Sequence, residues 1–479
     1  MRPSLVTILF CCALFTLPWV GVGTVHFVTG HDVGGGLQPS WAFLALAIVV
    51  RAMEFSRSKK LLRIDSLRKK QPSLLVLITL GSLLAVAISS IGLFTAPSLE
   101  LLSTGWARWI RQLVQLMIMF SFLWFATLWV KGHGRWQLVI DLLFLGAGFQ
   151  FLYGVIQGFN FYYPLGWYHS LEVLFTSNPS ILSGSEQLYL NNVMQEIPRL
   201  RGTVCEPLYL GNFLLMVWPF LLIWQRRPAV RLALGLLLLT LMILTWSRGA
   251  WLGLLVQILL LGLILLLNRG WKTGGATHAG RVRRIRKWPW VMVGLALLLP
   301  VADTLSGGWM LQRLLATFNN QDWSNLTRLY SMKAAWLAFL QSPVTGVGWG
   351  QFAFHFPLLA DPMGLQSQFT WPVVNNFPLQ ILCETGLTGF VVFIASALLI
   401  TRKAMNILRK NRKFVLSHSL VAAALVSVVG VWIQLLSFSQ YNLPHIWIGL
   451  GLLLAAINEE DAPDAGADQK ESGRWPLKK

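Results

Sequence analysis

The stretch LALGLLLLTLMILTWSRGAWLGLLVQILLLGLILLL, residues 232–267, decides the fold class. It consists of two long apolar runs separated by a short polar segment around Arg248. Since an apolar helix of about 20 residues crosses a bilayer, the stretch predicts two membrane-spanning helices that turn back at Arg248. The whole chain agrees with this, because 55% of its 479 residues are hydrophobic and 12% are charged, against about 25% charged in soluble proteins. The composition excludes a soluble globular protein.

The apolar pattern recurs along the chain and predicts an all-α integral membrane protein of about twelve transmembrane helices. Residues 1–457 form one transmembrane domain, and residues 458–479 are predicted to be a disordered cytoplasmic tail that opens acidic and ends basic. The first span is either a retained helix, which we prefer, or a cleaved signal peptide. The predicted spans are 4–22, 37–53, 72–94, 106–130, 136–157, 207–224, 229–246, 249–267, 288–306, 377–400, 418–439 and 442–457.

Positive charges predict the orientation of these spans. Lys and Arg are enriched in cytoplasmic loops, and with residues 51–70 placed inside, 31 of the 39 basic residues fall on that side. The net charge of +20 therefore reflects membrane topology, and no nucleic-acid partner is expected.

Two long segments, 158–206 and 307–376, are predicted to lie outside. The second is a large external loop in which apolar residues recur at near-helical spacing, with Ser324 as N-cap and Pro343 as the stop. This pattern predicts an amphipathic helix on the outer membrane surface.

A small number of external arginines are the first candidate site residues. Arg199 and Arg201 lie in PRLRGTVCEP, Arg248 lies in LTWSRGAW, and Arg328 lies in SNLTRLYSM. A guanidinium keeps its charge and offers a fork of N–H donors that fits phosphate oxygens. The arginines therefore predict an anionic site at the outer face. The alternative for each is a side chain that snorkels to lipid headgroups.

Two acids and one histidine are further candidates. Glu206 follows the first two arginines, and Glu384 lies about two turns into the tenth span, where a carboxylate is costly unless it is paired or functional. The alternative for each acid is an ion pair that braces the fold. His355 lies in the large loop after a glycine-rich turn. No external histidine has metal-ligand spacing to another, so neither a metal nor a cofactor is expected.

Four motifs, taken in order, resemble the O-antigen ligase and polymerase superfamily. They are RLRGTVCEPLYLGNFL, LTWSRGAWLGLL, RLYSMKAAWLAFLQSPVTGVGWGQF and NNFPLQILCETGLTGF, and they cover about residues 199–400. Members of the superfamily are multi-spanning glycosyltransferases of the bacterial inner membrane. They move a glycan from an undecaprenyl-pyrophosphate carrier to a glycan or lipid acceptor on the outer face. The resemblance implies that Arg201 or Arg199, with Arg248 and Arg328, holds the pyrophosphate.

One position departs from the ligase pattern. Ligases usually have a histidine where this sequence has Asn375, and that histidine is the expected helper of the acceptor hydroxyl. The resemblance therefore favours a polymerase or another branch, such as the protein O-oligosaccharyltransferases. Because an amide cannot take a proton at neutral pH, we expect Asn375 to position a substrate and His355 or Glu206 to assist as the base.

Two further expectations concern the reaction and its alternative. Attack opposite the leaving group would invert the anomeric centre. A protein of a different class, a flippase or transporter for a lipid-linked or anionic substrate, is the alternative, and it would need charged groups along a path through the membrane.

Overall fold

The computed structural model is all-helical over the residues that it describes, which are 4–20, 38–57, 74–94, 104–175, 199–269, 303–304, 307–315, 323–363, 372–410 and 419–460. The α-helices in these ranges are α1 (Leu5–Phe15), α2 (Pro39–Arg57), α3 (Leu74–Ser89), α4 (Gly105–Trp129), α5 (His133–Tyr162), α6 (Tyr168–Phe175), α7 (Pro207–Val217), α8 (Pro228–Leu244), α9 (Arg248–Arg269), α10 (Trp309–Leu315), α11 (Trp323–Gln341), α12 (Phe352–Ala360), α13 (Phe377–Lys410), α14 (Leu420–Gln434) and α15 (Pro444–Glu460). Short 3₁₀ turns extend α3 and α7.

Five helical stretches are long and apolar enough to cross a membrane by themselves. They are Leu74–Phe94, Gly105–Trp129, Gly134–Tyr162, Arg248–Leu266 and Phe377–Arg409. Helices also lie at the positions of the other predicted spans, except for 288–306, which falls almost wholly outside the described residues. The all-helical membrane class is thus confirmed, while the count of twelve spans stays a prediction.

Helix α13 is broken after its second turn, where the sequence predicted a continuous span. Gly386 has φ 63° and ψ −164°, which no helix accommodates. Residues 343–351 fill the break, and there the backbone N–H of Val347 donates to the carbonyl of Cys383 at 3.0 Å. Irregular backbone at membrane depth is tolerated only where protein supplies its hydrogen-bond partners. The loop before α12 supplies them here.

Helix α11 occupies the place of the predicted amphipathic helix and ends before Pro343. It begins at Trp323, so Ser324 lies within its first turn and is not its N-cap, which corrects the sequence-based prediction. The face of α11 that packs on α12 and α13 is made of small residues, Ala334, Ala335 and Ala338. Tyr330 and Trp336 lie outside this face and are exposed.

Candidate functional site

Residues 199–206 form the loop before α7, and this loop is hydrogen-bonded to two other helices. The N–H of Leu200 donates to the carbonyl of Leu244, the last residue of α8, at 2.9 Å. The N–H of Thr203 donates to the side-chain oxygen of Gln150 in α5 at 2.8 Å. These contacts hold the loop, which leads into α7, against α5 and the last residue of α8.

Arg201 is buried in a set of contacts within this region. Its backbone N–H donates to the side chain of Gln157 at 2.9 Å, and its guanidinium donates to the carbonyl of Val204 at 3.2 Å. The same guanidinium forms an ion pair with Glu172 of α6. The structure therefore places Arg201 in the internal packing of the loop.

Arg199, one residue before Leu200, lies instead among several other charges. Its pKa is lowered to about 9, first by burial and next by the positive charge of Arg313, while Glu206 opposes the shift. Arg328 and Arg248 also lower the pKa of Arg199. The charges of these four groups therefore all act on Arg199, as expected of charges that lie near one another. We refer to Arg199, Arg248, Arg313 and Arg328 as the arginine cluster.

Glu206 is the acid of the arginine cluster. It is the N-cap residue of α7, but its carboxylate makes no capping hydrogen bond to the helix. Burial raises the pKa of Glu206 from its ordinary value of 4.5, and the neighbouring charges of Arg199 and Arg328 partly offset that rise. The carboxyl group of Glu206 therefore binds a proton more tightly than an exposed glutamate does, although positive charges lie near it.

Arg248 is the first residue of α9 and bonds to the helix that carries Arg328. Its Nη2 donates to the side-chain oxygen of Asn325 in α11 at 3.0 Å. The next residue is Gly249, where an added Cβ would lie 2.5 Å from the hydroxyl of Ser437. A larger residue at this position would push the loop after α14 away from the arginine cluster.

Asn375 lies beside the same helix α11. Its backbone is left-handed, with φ 58°, a conformation that asparagine tolerates better than most residues. Its side-chain amide donates to the hydroxyl of Ser331 at 3.3 Å, and that hydroxyl lies 2.9 Å from the carbonyl of Arg328. Asn375 is therefore positioned one helical turn from a member of the arginine cluster.

His355 and Glu384 lie apart from these contacts. His355 is 5% exposed in α12, and burial lowers its pKa to about 4. No contact that the structure gives for His355 within the described residues reaches the arginine cluster. Glu384 accepts a hydrogen bond from the backbone N–H of Phe352 at 3.3 Å and from Gln380 at 3.1 Å. Glu384 thus braces the first turn of α12.

Two residues at the arginine cluster have no role in the sequence-based prediction. Arg313 lies in MLQRLLATF, where Gln312 and Thr317 are the other polar residues and form no recognisable motif. Asn325 lies in the common triplet Asn-Leu-Thr. Neither carries a sequence signal strong enough to single it out, since both reach the site only through the packing of α10 and α11.

Residues 232–394 match a family model described as O-antigen ligase. The matched segment is about a third of the chain, and it contains Arg248, Arg313, Arg328 and Asn375. No curated protein matches the chain. The family and the apolar helices indicate a multi-pass membrane protein with ligase- or polymerase-type activity on glycans. The match confirms the resemblance to the O-antigen ligase and polymerase superfamily that the four sequence motifs showed.

Proposed function

We propose that the protein is a glycosyltransferase that takes a glycan from an undecaprenyl-pyrophosphate carrier and polymerises or ligates it. The reaction would take place at the outer face of the bacterial cytoplasmic membrane, on a glycan or lipid acceptor. The observation on which the proposal rests is that the charges of Arg248, Arg313, Arg328 and Glu206 all act on Arg199, and that Arg248 is hydrogen-bonded to the helix that carries Arg328.

Four guanidinium groups in one place form a site for a multiply charged anion. Three arginines and one acid act on Arg199, so the charges that meet there are predominantly positive and repel one another. A bound pyrophosphate would relieve that repulsion. Arginine forks match phosphate oxygens in geometry, and donors fixed in advance stabilise the charge that develops on a departing group.

The proposed reaction balances as a single displacement. The acceptor hydroxyl oxygen attacks the anomeric carbon, and the bond from that carbon to the pyrophosphate oxygen breaks. The bonding electron pair leaves with the lipid pyrophosphate, which the arginine cluster neutralises. The hydroxyl proton goes to a base, and attack opposite the leaving group inverts the anomeric centre.

Glu206 is the stronger of the two proposed bases. It lies within the arginine cluster, and burial raises its pKa, which makes the ionised carboxylate a better proton acceptor than an exposed one. His355 lies in α12 without a contact of this kind. Asn375, held by Ser331, would orient the acceptor or the donor through its amide.

An apolar cleft beside the site offers room for part of the carrier's isoprenoid tail. Its volume is about 110 Å³, and one of the residues that line it is Phe377, two residues after Asn375. The cleft follows one face of α13 from Phe377 through Gly389 to Ile400. An apolar tail lying there would place the pyrophosphate end near the arginine cluster.

Two of the three acids within the predicted spans, Asp141 and Glu384, do not favour the transporter alternative. Asp141 of α5 pairs with Arg226 at 2.8 Å and accepts a hydrogen bond from Trp224 at 2.6 Å. Glu384 bonds to the backbone of α12. Both acids are engaged in contacts that brace the fold, whereas a transporter would need them along a path through the membrane.

The decisive experiment supplies purified protein in lipid nanodiscs with a polyprenyl-pyrophosphate oligosaccharide whose glycan is labelled. A ladder of products on a gel identifies a polymerase, and a single transferred block identifies a ligase. Arg248→Ala is the matched control and should give about 10²–10³ times less of either product. Movement of the intact lipid-linked glycan across a liposome bilayer, with no transfer by the wild type, would contradict the proposal and identify a flippase.

A further inference from the structure

A cavity of about 550 Å³ lies among helices α1 to α5, away from the arginine cluster. Its volume is in the range of small-molecule and lipid sites. Two arginines line it, Arg51 of α2 and Arg135 at the start of α5, together with the hydroxyl groups of Thr7 and Ser121. The remainder of the wall is apolar and includes Leu83 and Phe120.

Helix α4 lines this cavity, and none of the arginines of the arginine cluster does. Near its start, Gln112 accepts a hydrogen bond from the hydroxyl of Tyr441 at 2.6 Å, and the ring of Tyr441 lies 6.3 Å from that of Phe377, close to Asn375. The cavity is lined by α4 from Met117 to Trp129, and Phe120 is shared with the apolar cleft. At 1.5 Å per residue Trp129, whose carbonyl accepts from Arg135, lies about 25 Å along the helix from Gln112. The basic end of the cavity is therefore remote from the end of α4 that contacts Tyr441.

Arg51 and Arg135 are oriented by their contacts, but these contacts engage only some of their N–H donors. Arg51 donates from Nη1 to the carboxylate of Glu54 at 3.1 Å. Arg135 donates from Nη1 to the carbonyl of Trp129 at 2.7 Å, and its guanidinium lies over the ring of Trp129 at 5.1 Å. A guanidinium carries five N–H donors, so each contact leaves donors for a phosphate.

We propose that this cavity binds an anionic phospholipid, with the headgroup phosphate at Arg51 and Arg135 and an acyl chain along Leu83 and Phe120. A basic mouth joined to an apolar interior matches an amphiphile. Basic pockets between transmembrane helices on the cytoplasmic side recognise anionic headgroups, and the segments 51–70 and 131–135 are the ends that the charge distribution places in the cytoplasm.

The test measures lipid retention by purified protein with native mass spectrometry, using phosphatidylglycerol and phosphatidylcholine as probes. The wild type should retain phosphatidylglycerol at about tenfold lower lipid concentration than phosphatidylcholine, as expected for a charge-assisted contact. The double variant Arg51→Gln and Arg135→Gln should lose this preference. The matched control is Arg227→Gln, an exposed arginine at the same predicted face that does not line the cavity.

A second variant keeps the proposal testable if the double variant does not fold. Ser121→Trp places a large side chain in the cavity without changing any charge, and it should displace phosphatidylglycerol as well. Equal retention of the two lipids by the wild type would overturn the proposal. So would an equal effect of Arg227→Gln, which would indicate diffuse surface charge, or full competition by inorganic phosphate, which would indicate a site for the free anion.

Discussion

At the residue scale, Arg199 and Arg201 show how the fold separates two similar side chains. One residue lies between them, yet the guanidinium of Arg201 pairs with Glu172, while Arg199 meets the charges of the arginine cluster. The sequence left the choice between them open, because the partners that decide it are brought in by α6 and by α9 to α11. The motif predicted a loop that carries both arginines, but not the direction of each side chain within it.

This separation predicts different defects for two neighbouring substitutions. Arg201→Ala leaves Glu172 as a buried charge without its partner, which costs about 3–5 kcal/mol of stability, so the protein should denature at a lower temperature. Arg199→Ala should leave the denaturation temperature nearly unchanged and lower glycan transfer. Thermal denaturation in detergent and the transfer assay measure the two effects. A stable, inactive Arg201→Ala protein would contradict the assignment.

The fork of donors at Arg248 predicts that lysine is a poor replacement. Arg248→Lys keeps the charge but loses the bidentate geometry and the bond to Asn325, so turnover should fall by about tenfold. Arg248→Ala should reduce it by about 10²–10³, as for loss of a donor to developing charge. The control is Arg227→Lys, which is exposed at the other end of α8. Full activity of a correctly inserted Arg248→Ala variant would rule out the phosphate role.

The surroundings of Glu206 and His355 predict distinguishable pH profiles. A base acts in its deprotonated form, so the rate falls as the pH drops through the pKa of the base. Burial raises the pKa of Glu206 above 4.5 and lowers that of His355 to about 4. If Glu206 is the base, the acid limb lies above pH 4.5 and disappears in Glu206→Gln together with most of the rate. A limb near pH 4 that is lost in His355→Ala would identify His355 instead.

At the element scale, the sequence predicted the positions of helices better than their breaks. Helix α11 was expected from its apolar spacing and from Pro343, and it is present. The break in α13 was not expected, because Gly386 lies within a predicted span and a glycine there could equally continue a helix. Only the loop 343–351, which comes from an earlier part of the chain, makes the break stable. Local pattern does not report such long-range hydrogen bonds.

The crossing of this loop with α13 predicts strong sensitivity at Gly346. Its φ is 75°, and an added Cβ would lie 2.4 Å from the carbonyl carbon of Glu384, so Gly346→Ala combines backbone strain with a clash against backbone. We expect a loss of stability of several kcal/mol, about 1–3 of it from strain, seen as a lower denaturation temperature. The control is Gly262→Ala in α9, where an added Cβ meets nothing within 4 Å. Equal denaturation temperatures for the two variants would contradict this packing.

At the scale of the whole molecule, charge and apolarity predicted the class of protein, and the assembled site required the fold. The motifs supplied Arg248, Arg328 and Glu206 because each is a rare external charge in a short polar motif beside apolar segments. Arg313 enters the arginine cluster from α10, and no nearby residue marked it. The sequence pattern thus indicates which charged residues are unfavourable near a membrane unless they have a role. Only the packing of the helices shows which of these residues lie near one another.

The last prediction concerns sidedness, on which both proposed sites depend. The distribution of basic residues places the segments around 185 and 367 outside and residues 402–413 inside. A cysteine introduced at Ser185 or Ser367 should therefore react with a membrane-impermeant maleimide on intact spheroplasts. A cysteine at Arg409 should react only after permeabilisation, and the unchanged protein gives the background of its four native cysteines.

The reverse labelling would contradict both proposals. Because Arg248 begins the helix that runs from the predicted outer end towards 269–287, that result would place the arginine cluster on the cytoplasmic side. Such a result would exclude transfer at the outer face, and it would also remove the anionic leaflet from the mouth of the cavity at Arg51 and Arg135.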